Sequence, residues 1–262
     1  STRQMDEIIE YDPANQFITV GAGVKVSALQ DVLFENNQWL PVRPPFYPDG
    51  ITVGALAAMD SSGPERMTYG SPRDLALGLQ YIDGQGRVIS AGGKVVKNVA
   101  GYDMTRLLVG SEGSLGIICE VTWRVSTRPE LCCASSAQGS LEACFRMAFD
   151  LMNSCLLPAF IVLLPRGDIS GQLTDPWVIR VGFEGLAMVV DHQLQRCRDL
   201  FIENGLAEAD ISPYDLKDGC FKNEFCKMEK APFVLNAACA AERMPDQIET
   251  INTLALPSGW FM

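Results

Sequence analysis

The chain has 262 residues, 47% hydrophobic and 20% charged, with a formal net charge of −11 and a pI near 4.6. That apolar content at moderate charge excludes a disordered chain and suffices for one large domain or two modest ones. The negative balance argues against nucleic acid and anionic membrane as direct partners, so a bound anion has to be met by backbone N–H groups or single basic side chains.

The opening "MDEIIEYD" and "QFITVGAG" read as two strands joined by the turn "DPAN". In "VSALQDVLFENNQ", Val26, Leu29, Val32 and Leu33 share a helical face, and Ser27 with Gln30 has capping-box spacing. "WLPVRPPFYPDG" carries too many prolines for a helix and reads as a stiff extended loop. "TVGALAAMDSSG" reads as a short small-residue helix with Thr52 as N-cap. "RDLALGLQYIDGQGRVISAGG" is a hairpin turning at Asp83 to Gly86. "GYDMTRLLVG" is a short helix with Gly110 as its C′ residue, and "LGIICEVTWRV" is a strand.

Past Thr127 cysteine, methionine and helical stretches increase. "SLEACFRMAFDLMN" is an amphipathic helix after Ser140, "AFIVLL" and "PWVIRVGFEG" are strands, "MVVDHQLQRCRDLFIENG" is a helix closed by Gly205, and "APFVLNAACA" is a strand. This order places a boundary near 126–131 and divides an α+β chain into 1–128 and 129–262. No stretch approaches ~18 uninterrupted apolar residues, so no membrane span is expected. No signal-peptide pattern opens the chain, and a cytoplasmic location fits.

Nine cysteines are scattered without a CxxC pair, so reduced thiols are expected and no metal site. Cys220 and Cys226 read as two buried thiols. "GSEGSLG" supplies bare N–H groups and lets the backbone approach a large flat or phosphorylated ligand, although on that stretch alone a tight strand connection is the plainer reading. Neither the phosphate-binding GxxxxGK[ST] nor a strand-to-helix GxGxxG is present.

"PPFYPDGITVGALAAMDSSG", "YGSPRD" and "KNVAGYDMTRLLVGSEGSLGIICEV" follow one another within about eighty residues. Together they resemble the vanillyl-alcohol-oxidase-type (PCMH-type) FAD-binding flavoproteins, in the D-lactate/glycolate oxidase branch and nearest its glycolate oxidase FAD-binding subunits. The resemblance is strong over residues 6–126. It implies FAD as cofactor, with residues 1–128 as part of an FAD-binding domain and residues 129–262 as a small α+β cap-like domain. An amino-terminal subdomain would precede Ser1, and a segment returning from the cap would follow Met262.

The resemblance places Pro48, Gly50, Thr52, Val53 and Gly54 on the flavin and pyrophosphate side, the last three offering N–H groups and a hydroxyl. Ala58, Ser62 and Gly63 continue that wall, Tyr69 and Gly70 support it, and Glu112, Gly113, Gly116, Ile117 and Ile118 line the adenine and ribose end. Two positions depart from the family pattern: Ala55 replaces a glycine, and Asp60 replaces an asparagine. An acid near a pyrophosphate is unfavourable unless it points away.

Oxidation of a 2-hydroxy acid needs a base, a cation for the carboxylate and a hydride acceptor. The single histidine, His192, reads as a surface residue of a helix. Arg43, Lys94, Lys97, Arg106 and Arg180 are candidate carboxylate partners. Lys97 is the catalytic candidate, against a structural pairing with Asp103 or Asp74, and Arg106 reads as a structural ion pair. Trp39, Phe46 and Tyr47 would flank the flavin or pack beneath the proline-rich loop, and Met188 and the other methionines read as core filling.

Three functions remain open from the residues. The resemblance implies an FAD-binding subunit that takes electrons from glycolate or D-lactate, beside a catalytic FAD-linked glycolate oxidase subunit and an iron–sulfur subunit, peripheral to the inner membrane through those partners. The others are a stand-alone FAD-dependent oxidoreductase and a cofactor-free scaffold of the same fold.

Overall fold

Asp12 ends the first strand by accepting the backbone N–H (3.0 Å) and side-chain amide (2.8 Å) of Asn15, which reverses the chain. The computed structural model describes residues 2–44, 50–93, 102–165 and 176–216, which fall into two compact units, Ser1–Arg128 and Pro129–Met262.

In the first unit the chain runs β1 (Ile8–Asp12), β2 (Phe17–Gly21), α1 (Val26–Glu35), β3 (Gln38–Trp39), α2 (Val53–Met59), α3 (Arg66–Tyr69) and α4 (Pro72–Leu75). It continues with β4 (Ala76–Ile82), β5 (Val88–Gly92), α5 (Met104–Leu108), β6 (Ile117–Arg124) and β7 (Ser126–Thr127). Five strands form one antiparallel sheet in the order β1-β2-β6-β4-β5, with β6 central. β3 pairs separately with β7.

Alternation on β2 and β6 decides what the sheet buries. Ile18, Val20, Val121 and Trp123 enter one core with Val26, Leu29 and Leu33 of α1 and Val53, Leu56 and Ala57 of α2. On the opposite side of the same strand pair Thr19 and Thr122 join hydroxyls at 2.9 Å, so the buried polar pair satisfies itself. The expected α1 is present, but Ser27 is not its cap. The helix begins after Lys25, which makes no side-chain capping bond, and the Val26 N–H is met instead by the Ile51 carbonyl at 3.0 Å. Gln30, the second residue of the expected capping box, exchanges two bonds with the Leu40 backbone (2.6 and 3.0 Å).

The expected hairpin forms as β4 and β5. At its turn Asp83 accepts the backbone N–H groups of Gln85 and Arg87 and the Arg87 side chain, at 2.9, 2.9 and 2.8 Å. The Arg87 backbone bond, then its side-chain bond, hold the Asp83 carboxyl below the ordinary value of 3.8. A carboxyl depressed in the folded state stabilises above its unfolded value, and the contribution is lost as pH falls through the lower folded value. The urea midpoint should therefore fall on acidification below pH 3.8. That fall should be smaller in Asp83→Asn; an identical acid response in the variant refutes the assignment.

The second unit holds β8 (Leu131–Gly139), α6 (Leu141–Met152), β9 (Phe160–Pro165), β10 (Trp177–Gly185), α7 (Ala187–Glu203) and β11 (Ala207–Pro213). Its antiparallel sheet has the order β11-β8-β10-β9. Ser140 caps α6 by accepting the Ala143 N–H at 3.2 Å. Cys144, Met147 and Leu151 of α6 and Val190, Leu194, Cys197 and Phe201 of α7 form a core with Ile179, Val181 and Phe183 of β10. A smaller cluster gathers Ala134, Ala159 and Phe160 with Val162 and Tyr214. The strand expected at "APFVLNAACA" and the pair Cys220 and Cys226 lie outside the described residues.

Methionine as core filling holds for Met147 but not for Met188, which is 84% exposed at the start of α7; Met59, Met67 and Met152 are exposed as well. Cys119, Cys132, Cys133, Cys144, Cys155 and Cys197 are thiols rather than disulfides. Burial, with a smaller push from Asp191, raises the Cys133 thiol above its usual range, and burial with Glu120 does the same for Cys119.

Candidate functional site

The sequence-expected site residues fall into two neighbouring groups of the first unit. One is the start of α2. Thr52 caps it as expected, accepting the Ala55 N–H at 3.3 Å. The N–H groups of the first turn are nevertheless committed inside the fold: Val53 donates to Val24 O and Gly54 to Ala22 O, each at 2.8 Å. The expectation that Val53 and Gly54 offer N–H groups to a pyrophosphate is thereby corrected. Residues 22–24 pair with 52–54 in strand fashion and use those donors before any ligand can. The Val53 side chain is fully buried in the core. Gly54 has its own reason to be glycine, since a Cβ there would lie 2.8 Å from the Ala22 methyl.

The same unit holds a buried hub. Arg43 pairs with Glu65 while both side chains are almost fully enclosed, and its guanidinium carbon sits 5.5 Å from the centre of the Trp39 ring. Tyr69 meets the same ring edge-on at 5.3 Å. Gly63 packs against the Arg43 carbonyl so closely that no Cβ fits. Arg43 is thus committed to Glu65, and of the two readings for Trp39 the packing one holds, since the side chain is fully buried. Ser62 is partly buried beside Gly63, and Gly70 follows Tyr69 in a left-handed conformation against Asp74. Pro48, Phe46, Tyr47, Lys94 and Lys97 lie outside the described residues.

The second group is the loop after α5. Gly110 follows the helix with φ +84°, as expected for a C′ glycine. Its N–H does not close its own helix but donates to Ala57 O of α2 at 2.9 Å, and the Glu112 N–H donates to Ala58 O at 2.8 Å. The last turn of α2 therefore has its orphan carbonyls filled by this loop. Glu112 and Gly113 are both left-handed, at φ +52° and +77°. Beyond Gly113 there is no protein atom within 4 Å of a Cβ, so the backbone conformation alone demands glycine there. Gly116 is different: a Cβ would strike the Tyr81 ring and the Ile82 carbonyl, both at 2.8 Å. Ile117 is exposed, whereas Ile118 is 6% exposed and packs in the core.

Asp60 points away from this loop's open side. It ends α2 in a left-handed conformation (φ +48°) and accepts the Arg73 N–H at 2.9 Å and the Ser71 hydroxyl at 3.2 Å. Arg106 lies 3.6 Å from Asp103 and 3.7 Å from Asp74, the two carboxylates expected for Lys97. Arg180 sits on β10 and reaches Ser212 at 3.5 Å, and His192 is exposed on α7. Among the described residues no group of three His, Cys, Asp or Glu side chains is placed to hold a metal ion, and no helix is long and apolar enough to cross a membrane.

The residues present fit a flat nucleotide cofactor at the second group. Among the described residues the exposed N–H groups of Gly113 and Leu115 meet no acceptor, and the Ser111 hydroxyl is buried without a partner. Met59, Leu107, Leu115 and Ile117 expose apolar side chains from the elements that flank the loop.

Residues 1–92 match the family model of the FAD binding domain. Over 135 residues the chain is 39% identical to the glycolate oxidase subunit GlcE of Escherichia coli, covering 52% of this chain and 39% of that protein. It is 38% identical to the D-lactate dehydrogenase of Archaeoglobus fulgidus (48% and 28% covered), and 32% identical to the glycolate oxidase subunit GlcD of Bacillus subtilis (63% and 35%). The matched lengths are thus well under half of each of these relatives. Among solved structures, alkyldihydroxyacetonephosphate synthase matches 80% of this chain and 43% of its own at a TM-score of 0.67 and 20% identity, a likeness of fold. Residues 1–92 are therefore similar to the FAD binding domain family, a family that takes FAD as its cofactor.

Proposed function

We propose that the protein is an FAD-binding subunit of an oxidoreductase that acts on a small D-2-hydroxy acid, glycolate or D-lactate. It would work beside a catalytic FAD-linked subunit and an iron–sulfur subunit, in the cytoplasm or held at the inner membrane by those partners. The observation that carries this reading is the 39% identity to a glycolate oxidase subunit. Residues 1–128 would hold the cofactor and residues 129–262 would form the cap. Bound FAD supplies a two-electron acceptor for the substrate C–H bond and a relay to a one-electron partner.

The chain's own contribution is binding and exclusion of water. The N–H groups of Gly113 and Leu115 would donate to the nucleotide half, while Ile117 and Leu115 cover its flat face. Thr52 and the buried Arg43–Glu65 pair hold the surrounding wall in shape. Lys97 remains the candidate for substrate carboxylate or proton handling. His192, exposed on α7, takes no part.

The test is a visible spectrum of the purified full-length protein and of Gly113→Val. The wild type should absorb near ~450 nm. A side chain at φ +77° should cost only about 1–2 kcal/mol of stability, yet flavin content should fall severalfold because the Cβ projects into the open side of the loop. A colourless full-length wild type ends this reading. It would select the cofactor-free scaffold, which the internally committed donors of Val53, Gly54 and Ala55 favour.

A further inference from the structure

We infer that Asp60 and Arg73 are positioning residues that set the shape of loop 110–116 and thereby the affinity for FAD; this rests on the reading of that loop as part of the cofactor site. The sequence shows no tie between these residues, which stand in different elements separated by the 61–70 stretch.

The physical argument begins at the end of α2. Asp60 turns left-handed there; its N–H makes a long 3.3 Å bond to the Ala57 carbonyl, which also takes the Gly110 N–H, while the Ala58 carbonyl takes the Glu112 N–H. Two backbone bonds tie the loop to α2, and the turn bonds from Ser111 N–H to Leu108 O and from Ser114 N–H to Ser111 O act only within it, around two consecutive left-handed residues, one of them carrying a side chain. A second anchor comes from α4. The Asp60 carboxylate takes the Arg73 N–H at 2.9 Å and stands 3.9 Å from the Arg73 Nε. The guanidinium is thereby held so that Nη2 donates to the Val109 carbonyl at 3.0 Å. The same Nη2 lies 2.6 Å from where a Gly110 Cβ would be, and the Asp60 Cβ lies 3.3 Å from it, so the bare face of Gly110 is what lets the clamp close. Asp74, the neighbour of Arg73, reaches Arg106 of α5, so α4 touches both the helix that enters the loop and the loop itself. The exchange of asparagine for aspartate at 60 thus adds a charge that faces Arg73 rather than the open side of the loop.

The geometry separates three substitutions. Arg73→Ala removes the link to Val109. Arg73→Lys cannot replace it, because an ammonium does not donate to a carboxylate and a carbonyl in a fixed planar fork. Asp60→Asn keeps one oxygen for the Arg73 N–H, turns its amide nitrogen towards the Ser71 hydroxyl and Arg73 Nε in place of the second oxygen, and remains compatible with a left-handed backbone. Arg87→Ala, which removes another exposed ion pair at the far hairpin, is the control.

The experiment uses the full-length protein, stripped of cofactor and titrated with FAD, alongside amide exchange at Gly110 and Glu112. Arg73→Ala and Arg73→Lys should accelerate exchange at both amides and weaken FAD binding about tenfold or more. Asp60→Asn, which loses the charge facing Arg73, should fall between Arg73→Ala and the wild type in both readouts; Arg87→Ala should stay near the wild type, and the melting temperature of the cofactor-free protein should move no more in Arg73→Ala than in Arg87→Ala. Unchanged exchange in Arg73→Ala overturns the clamp. Faster exchange with unchanged FAD affinity overturns its role in binding. A wild type that fails to bind FAD overturns the cofactor reading itself and with it the positioning role.

Discussion

Glu65→Ala is expected to lower the stability of the protein by about 3–5 kcal/mol, the cost of stranding a buried charge. Glu65 and Arg43 are both nearly enclosed, and the carboxylate is an ion partner of the guanidinium. Removing the carboxylate takes an opposite charge from a buried guanidinium that also packs on the Trp39 ring. The neutral variant Glu65→Gln should fall between. The double variant Arg43→Met/Glu65→Leu should recover most of the loss, since two apolar side chains replace a buried pair with little penalty. Urea unfolding followed by tryptophan fluorescence reads all three, because Trp39 and Trp123 both lie in this unit. A Glu65→Ala midpoint indistinguishable from wild type would show that the pair is hydrated in solution.

The second large effect belongs to the other unit. Gly182 on β10 faces Phe160 on β9, and a Cβ there would overlap the aromatic ring, which is fully buried. Phe160 in turn packs against Tyr214, whose hydroxyl donates to Glu184 at 2.7 Å, so the ring has nowhere to move. Gly182→Val should therefore cost about 3 kcal/mol, the upper end for overpacking. Phe160→Ala alone should cost about 3–5 kcal/mol. Because both changes act on the same space, the double variant should be less destabilised than the sum by about 1 kcal/mol or more. Additive losses in the same urea titration would mean that the glycine does not serve the ring.

Local signals read well where local physics decided the outcome. The Val26, Leu29 and Leu33 face, the Thr52 and Ser140 caps and the turn at Asp83 were all visible in the sequence. β8 was not, because "LCCASSAQG" is small and weakly strand-forming; it is a strand through its pairing with β10 and β11 on either side. Ser27 is not the cap because the helix starts one residue earlier, where the Val26 N–H is met by the Ile51 carbonyl, 25 residues further along the chain.

At the candidate site the glycines were legible by type but not by cause. Gly113 needs its backbone angle, whereas Gly116 needs room for Tyr81. The commitment of the Val53 and Gly54 donors could not be seen either, since it depends on residues 22–24 arriving alongside. Asp60 stood out only as a departure from a pattern, and its partners on α4 became visible once the fold brought them together.

The central position of β6 also governs the order in which the protein can be made. β2 and β4 each pair with β6 and not with one another, so Val20 and Leu79 both wait for Val121. On the ribosome, the amino-terminal stretch matched by the FAD binding domain family, which ends at residue 92, would emerge as two separate hairpins with no shared sheet. Hairpins of that kind are marginal alone in water. The first unit should thus remain protease-sensitive and chaperone-dependent in the nascent chain until the segment Ile117–Arg124 has been synthesised and slides between them.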